Sequence, residues 1–216
     1  MTDSLRCWQP GAQVSARELT SVAGSLVSVP GGALLTHLQF RRFAGCPVCD
    51  LHLRSIVRRH AEIAAAGVRE VVVFHSSAQE LREYGAHELP FAVIGDPGKR
   101  LYAEFGVESA RRSLTDPRAW WPIVRAVAAN LWLGLRGRAR LRMPSAAGGR
   151  LGLPADFLID GDGRVIAVKY GAYVYDQWSV DELLELARAR AESSRTGDSL
   201  PRVAEASLRG AGDRRA

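Results

Sequence analysis

Phe40-Arg41-Arg42-Phe43-Ala44-Gly45-Cys46-Pro47-Val48-Cys49 is the stretch on which the reading of this chain turns. Just upstream, Leu34, Thr36, Leu38 and Phe40 share one face of an alternating segment, the pattern of a half-buried strand. Downstream, Leu53, Ile56, Val57, His60, Ile63 and Ala64 recur at spacings of three and four over residues 50–66. Gly67 then closes the run, as expected of one amphipathic helix. The two cysteines therefore stand at a strand-to-helix junction. Thiols two residues apart can close a disulfide within one helical turn and so store or release two electrons. A sulfur at a helix N-terminus feels the field of unpaired backbone N–H groups, which favours thiolate over thiol, and Arg41 and Arg42 push the same way. Pro47 between them suits the first helical turn, where its missing N–H costs nothing. Because thiolate is the nucleophile toward disulfides and peroxides, the pattern points to redox catalysis by Cys46 and Cys49, with Cys46 attacking and Cys49 resolving.

At 216 residues the chain is long enough for one domain with a substantial core, and its 47% hydrophobic and 24% charged residues are ordinary for a globular protein. Its first residues carry no apolar segment of the signal-peptide kind, and no stretch is long and apolar enough to span a bilayer, so a cytoplasmic location is expected. In that compartment a C-x-x-C pair is more often catalytic or metal-binding than structural. With 3 cysteines in all, no second C-x-x-C completes a zinc site, and His52 and His60 match no ordinary zinc spacing. No metal and no organic cofactor is expected. Cys7 reads as an incidental exposed thiol. The net charge of +6 is concentrated in residues 111–142, which hold eight arginines against Asp116, while the remainder is close to neutral. That distribution argues against a nucleic-acid partner for the chain as a whole.

Val71-Val72-Val73-Phe74 and Phe91-Ala92-Val93-Ile94 read as buried strands. Ser77-Ala78-Gln79-Glu80 and Ser179-Val180-Asp181-Glu182 are capping boxes that open helices. Asp96-Pro97-Gly98 is a turn before a short helix through Leu101, Tyr102 and Phe105, and Asp160-Gly161-Asp162-Gly163 joins two hairpin strands. Alternating strands and helices imply parallel pairing, and this order is that of an α/β thioredoxin-like fold, a central mixed sheet flanked by helices. We expect a domain over residues 13–192, a disordered N-terminus over 1–12, a disordered tail over 193–216 and a basic helical insertion over 109–150. In the insertion, Trp120, Trp121, Val124, Val127, Ala128, Leu131, Trp132 and Leu135 form an apolar stripe. It fits a helix packed over the active-site side, or one making weak contact with a membrane surface or a partner through 111–142. Pro154 stands just before the first hairpin strand, the place of a cis-proline in thioredoxin-like chains. There the Leu153 backbone would lie beside the Cys46 sulfur, ready to pair with a substrate chain.

Residues 10–191 resemble the peroxiredoxin-like branch of the alkyl hydroperoxide reductase/thiol-specific antioxidant (AhpC/TSA) family. The resemblance rests on the cysteine stretch quoted above, Phe74-His75-Ser76-Ser77, Asp96-Pro97 with Leu101-Tyr102, Phe157-Leu158-Ile159-Asp160 with Gly163, and Gln177-Trp178-Ser179-Val180-Asp181-Glu182. It implies a thioredoxin-like fold and a thiol-dependent oxidoreductase that reduces peroxides or protein disulfides. The electrons would come from a thioredoxin-type or low-molecular-weight thiol. Two positions depart from the peroxiredoxin pattern. Phe43 stands three residues before Cys46, where peroxiredoxins carry threonine or serine, and Pro154 stands where they carry an arginine. Arg42 or Arg41 is the cation left to serve, and the departures favour disulfide exchange. We take Leu153, Pro154, Arg42 and Phe43 as the loop residues around the cysteines, His52 as a residue able to tune the thiolates, and His75 as a packed strand-end residue. A redox-sensing interaction module, docked through its basic insertion and using the same dithiol as a switch, is the alternative; repeated turnover separates an enzyme from such a sensor.

Overall fold

β-Branched and aromatic residues concentrate where the chain forms its main sheet. In a computed structural model, which describes residues 7–107 and 152–196 together with Trp121, Val124, Arg125 and Ala128, that sheet has five strands. A small antiparallel pair, β1 (Arg17–Thr20) and β2 (Leu26–Val29), precedes it. The order in the chain is then β3 (Leu35–Arg41), α1 (Pro47–Arg58), α2 (His60–Ala65), β4 (Val68–Phe74), α3 (Ala78–Glu83), β5 (Ala92–Gly95), α4 (Arg100–Glu104), β6 (Ala155–Ile159), β7 (Val165–Tyr170) and α5 (Val180–Thr196). Across the sheet the strands run β5-β4-β3-β6-β7, with β3 parallel to β4, β4 parallel to β5, and β6 antiparallel to both β3 and β7. The parallel half and the hairpin both follow the sequence reading.

Leu38 and Phe40 of β3 face one core, with Val71, Val73, Ile94, Tyr102, Phe105 and Phe157. On the other side, Ile56, Ile63, Leu158, Ile166 and Leu183 bring α1, α2 and α5 together against the sheet. The expectation of a half-buried β3 is corrected here: its alternate residues His37, Gln39 and Arg41 are polar yet fully covered. Each finds a partner under the helices, which is what allows polar groups to lie out of water.

The single helix expected over 50–66 is two. Helix α1 begins at Pro47, and it is interrupted at Arg59, where φ is −113° and ψ 18°. A side-chain period of three and four runs on through such a break, so spacing does not reveal it. Val57, placed by the pattern on the buried stripe, is 37% exposed. Both capping boxes are present. Ser77 and Glu80 exchange bonds at α3, and at α5 the Ser179 N–H donates to Glu182 while the Glu182 N–H donates to Ser179 Oγ.

Disorder over residues 1–12 does not hold for residues 8–12. The Trp8 ring stacks on Phe105 at 5.2 Å, and Gly11 and Ala12 pair with the Val165 backbone. These are long-range contacts that composition does not announce. Likewise α5 carries on to Thr196, past the expected start of the tail at 193. The expected insertion over 109–150, the membrane or partner contact over 111–142, and the rest of the tail lie outside the described residues, except that Trp121, Val124, Arg125 and Ala128 are helical and exposed.

The Leu153–Pro154 bond is trans; among the described residues the cis bond is Val29–Pro30. The expected cis-proline is therefore corrected. Pro154 continues the β6–β7 ladder, its carbonyl accepting from the Gly171 N–H at 2.9 Å, and its ring packs on Gly171. An extended chain entering a strand keeps the more stable trans isomer.

Candidate active site

Cys46 is the N-cap residue of α1, with Pro47 in the first helical position. The preceding loop is short and pinned. Gly45 adopts φ of 75°, a conformation that favours glycine, and a side chain there would meet the Tyr84 ring. The Ala44 N–H donates to Ser76 Oγ at 3.0 Å. Both cysteines are free thiols, buried to 2% and 4% exposure in a cluster with Phe43, Ala44, Val48 and Val174. Burial opposes ionisation of Cys46. It is outweighed by a hydrogen bond from the Cys49 thiol, by the Arg42 charge and by the backbone N–H groups of Cys49 and Val48, so the Cys46 pKa is brought down to about 7. As a neutral thiol Cys46 makes no capping hydrogen bond; it is the charged sulfur that gains from those N–H groups, as an anion at a helix N-terminus does. Cys49 moves the other way. Burial, followed by its hydrogen bond to Cys46 and the negative charge there, pushes it well above an ordinary thiol. One proton is in effect shared by the pair, held on Cys49.

The two arginines of the quoted stretch separate. Arg42 turns to the thiolate, with Nη1 at 3.8 Å from Cys46 Sγ, and its guanidinium rests 5.2 Å over the Phe43 ring. Phe43 thus holds the cation where a peroxiredoxin threonine would have supplied a hydroxyl. Arg41 turns to the opposite side and is fully buried, 2.6 Å from Asp156 and bonded to Gln39 Oε1. His52 accepts no role at the sulfurs: its Nε2 lies 3.2 Å from Arg41 Nη2, and burial followed by the Arg41 charge keeps it neutral. Of the loop before β6, Leu153 is buried at 4%, and its neighbour Gly152 is the residue that meets the site, opposite Arg42 and His75. The contacts of Pro154 are with Gly171. The structure therefore unites Cys46, Cys49, Arg42 and Phe43, and sets Pro154 in the ladder.

Replacing Arg42 by methionine, which keeps the packing on Phe43 and removes the charge, is expected to raise the Cys46 pKa by about one unit, a differential of ~1.4 kcal/mol. The thiolate fraction at pH 7 should fall several-fold. The pH profile of iodoacetamide alkylation at Cys46, read on its own peptide, measures it, and an unchanged midpoint would show that the cation does not act on this sulfur.

An ionised sulfur with a protonated thiol one turn away, on a five-stranded thioredoxin-like sheet, is the layout of a thiol oxidoreductase. The chain belongs to the AhpC/TSA antioxidant enzyme family, whose model matches residues 55–172, more than half of its length. It is accordingly a thiol-dependent antioxidant oxidoreductase, of the kind that reduces a peroxide at the expense of a thiol reductant. The matched span begins after Cys46 and Cys49. No curated protein matches the chain in sequence. Among solved structures it is similar to peroxidoxin BcpB from Mycobacterium tuberculosis, at 17% identity over 83% of this chain and 96% of that one, with a TM-score of 0.56. The reduced 2-Cys peroxiredoxin of Plasmodium vivax is 15% identical over 90% and 88% of the two chains, TM-score 0.59. A cysteine-to-serine mutant of peroxiredoxin 6 from Arenicola marina is 14% identical over 87% and 76%, TM-score 0.62. At these identities the likeness is one of fold, and it bears out the thioredoxin-like reading.

Proposed function

We propose that Cys46 is the peroxide-attacking residue of this enzyme and Cys49 its resolving partner. The observation that carries this is the opposite ionisation of the two thiols, lowered at Cys46 and raised at Cys49. The Cys46 thiolate attacks the distal oxygen of a hydroperoxide. The O–O bond breaks, an S–O bond forms, and the leaving alkoxide or hydroxide takes a proton to depart as alcohol or water. Cys46 is then a neutral sulfenic acid. With the thiolate charge gone, a main cause of the raised Cys49 pKa goes too, so Cys49 is freed to ionise at this point in the cycle. Its sulfur attacks Cys46, water leaves, and a disulfide joins the two residues. A thioredoxin-type or low-molecular-weight thiol reductant then returns both thiols by exchange, itself ending as a disulfide.

Burial of the pair supports a small oxidant. A water-sized peroxide needs only side-chain adjustment to approach Cys46, whereas a protein disulfide brings a backbone with it. Arg42 beside the sulfur also supplies the cation that the departures from the peroxiredoxin pattern had left without a place. Disulfide exchange, favoured from sequence alone, thereby loses ground to peroxide reduction.

Stopped-flow oxidation of the reduced protein tests this. Hydrogen peroxide should convert it to a form lighter by two hydrogens, with Cys46 joined to Cys49, faster than an equal concentration of oxidised insulin does. Oxidation by insulin alone would overturn the assignment of substrate.

A further inference from the structure

Among the described residues, one buried polar side chain at this end of the sheet has neither of its ring nitrogens satisfied. His75 follows β4, is 1% exposed, and has no hydrogen-bond partner at Nδ1 or Nε2. Its ring is held by apolar faces, 6.2 Å from Phe43 and 5.7 Å edge-on from Tyr102, and its backbone N–H donates to the Arg42 carbonyl at 3.0 Å. Two orphaned nitrogens in a buried ring are costly, and such groups call for a ligand or a bound water. Burial, reinforced by the Lys99 and Arg42 charges, lowers its pKa to about 4. At neutral pH it therefore presents one N–H donor and one lone pair.

The space it faces is made by Gly152. A Cβ built there would lie 3.5 Å from His75 Nε2 and 3.6 Å from Arg42 Cγ. The imidazole and the Arg42 side chain thus converge on one point, and Arg42 continues from it to Cys46 Sγ. His75 also lines a cavity of about 370 Å³ with Ser76, Ser77 and Pro97.

We propose that His75 is a further catalytic residue of the peroxide site, its imidazole N–H hydrogen-bonding, beside Arg42, the oxygen that leaves when Cys46 attacks. This rests on Cys46 being the attacking sulfur. In the step, Cys46 gains the distal oxygen, the O–O bond carries its electron pair to the departing oxygen, and that oxygen takes its proton from water. His75 keeps its own proton and stabilises the developing charge, as a preorganised neutral donor does. The task otherwise given to a hydroxyl at position 43 is filled from β4.

Two rate constants on the full chain test it: oxidation by hydrogen peroxide, and alkylation of Cys46 by iodoacetamide, read on the Cys46 peptide apart from the exposed Cys7, which reports thiolate and access alone. His75→Phe, which keeps a ring between Phe43 and Tyr102, should slow peroxide oxidation about tenfold and leave alkylation within about twofold. His75→Gln, which restores a donor, should recover most of the loss. Gly152→Ala, whose methyl makes only ordinary contact with Nε2 yet occupies the space that it faces, should slow peroxide oxidation in the same sense. A wild-type peroxide rate in His75→Phe, or equal losses in both reactions, would overturn the role. Should His75→Phe fail to fold, an unchanged peroxide rate in Gly152→Ala overturns it alone. If Cys46 of the wild-type protein reacts with iodoacetamide but not with peroxide, the Cys46 assignment falls and this role with it. That outcome is distinct, because it shows before any variant is made.

Discussion

Cys46→Ser is expected to consume no peroxide at all, whereas Cys49→Ser is expected to take up one equivalent and stop. The asymmetry follows from which sulfur is ionised. A serine hydroxyl at position 46 has no anion to offer near neutral pH, whatever its surroundings, so the first bond cannot form. At position 49 a serine hydroxyl still donates a hydrogen bond to the Cys46 sulfur, so the largest influence favouring the thiolate is kept. The first oxidation should then proceed at close to the wild-type rate. With no second thiol to displace water, the product should remain as sulfenic acid, one oxygen heavier and reactive toward dimedone, and turnover with a thiol reductant should fall sharply. Intact-mass measurement after a single peroxide pulse, followed by peroxide consumption under reductant, reads both steps. Loss of the first oxidation in Cys49→Ser, with its survival in Cys46→Ser, would exchange the roles of the two residues. The same ionisation sets the pH profile of the wild type. Below about pH 7 the peroxide rate should rise roughly tenfold per unit, and above it should level off, as the thiolate fraction of Cys46 does.

Asp156→Leu should cost the fold on the order of 3–5 kcal/mol, because it removes one carboxylate that two buried cations share. Asp156 Oδ1 lies 2.6 Å from Arg41 Nη2 and 3.2 Å from His37 Nε2, and its other oxygen accepts from the Trp178 N–H at 3.3 Å. The opposite ring nitrogen of His37 is 2.9 Å from Glu70. None of these four side chains is more than about 1% exposed. Burial works against charge on His37, but Glu70 and Asp156 outweigh it and raise its pKa to about 9. Burial likewise disfavours charge on Asp156, and Arg41 and His37 overcome this and hold it well below the usual carboxylate range. The His37 contribution to stability is thus complete below its unfolded pKa of roughly 6.5 and is lost as pH rises through about 9. The Asp156 contribution is complete above roughly pH 4, its unfolded value, and is lost as pH falls toward its depressed folded one. Within this network stability should therefore be greatest between roughly pH 4 and 6.5. Urea titrations across pH measure it. In Asp156→Leu the alkaline loss should be smaller and end at lower pH, since His37 keeps only Glu70. An unaltered midpoint of unfolding would show that the buried charges do not depend on this carboxylate.

Much of the fold was legible because the relevant signals are local. A capping box occupies four residues, as at Ser77 and Ser179, and the turn at 160–163 carries its own glycines. The alternation at β3 likewise marked a strand whatever lay beside it. The placement of Cys46 at a strand-to-helix junction was of the same kind, and so was the expectation of an ionised sulfur there. Harder to see was what covers each face. His37, Gln39 and Arg41 look like a solvated face by alternation, because the partners that let them be buried, Glu70 and Asp156, are 33 and up to 119 residues away. His75 gave no sign beyond its position at a strand end, since unsatisfied nitrogens are a property of surroundings and not of spacing.

The order of elements, the dithiol at the head of α1 and the hairpin that closes the sheet were set by neighbours along the chain, through capping, turn chemistry and side-chain period. Which arginine serves the sulfur, which cysteine keeps the proton, and where Pro154 lies were decided only when distant segments met. Adjacent residues such as Arg41 and Arg42 point to opposite sides of an extended chain. It is the packing on each side that turns one into a structural ion pair with Asp156 and the other into the cation beside Cys46.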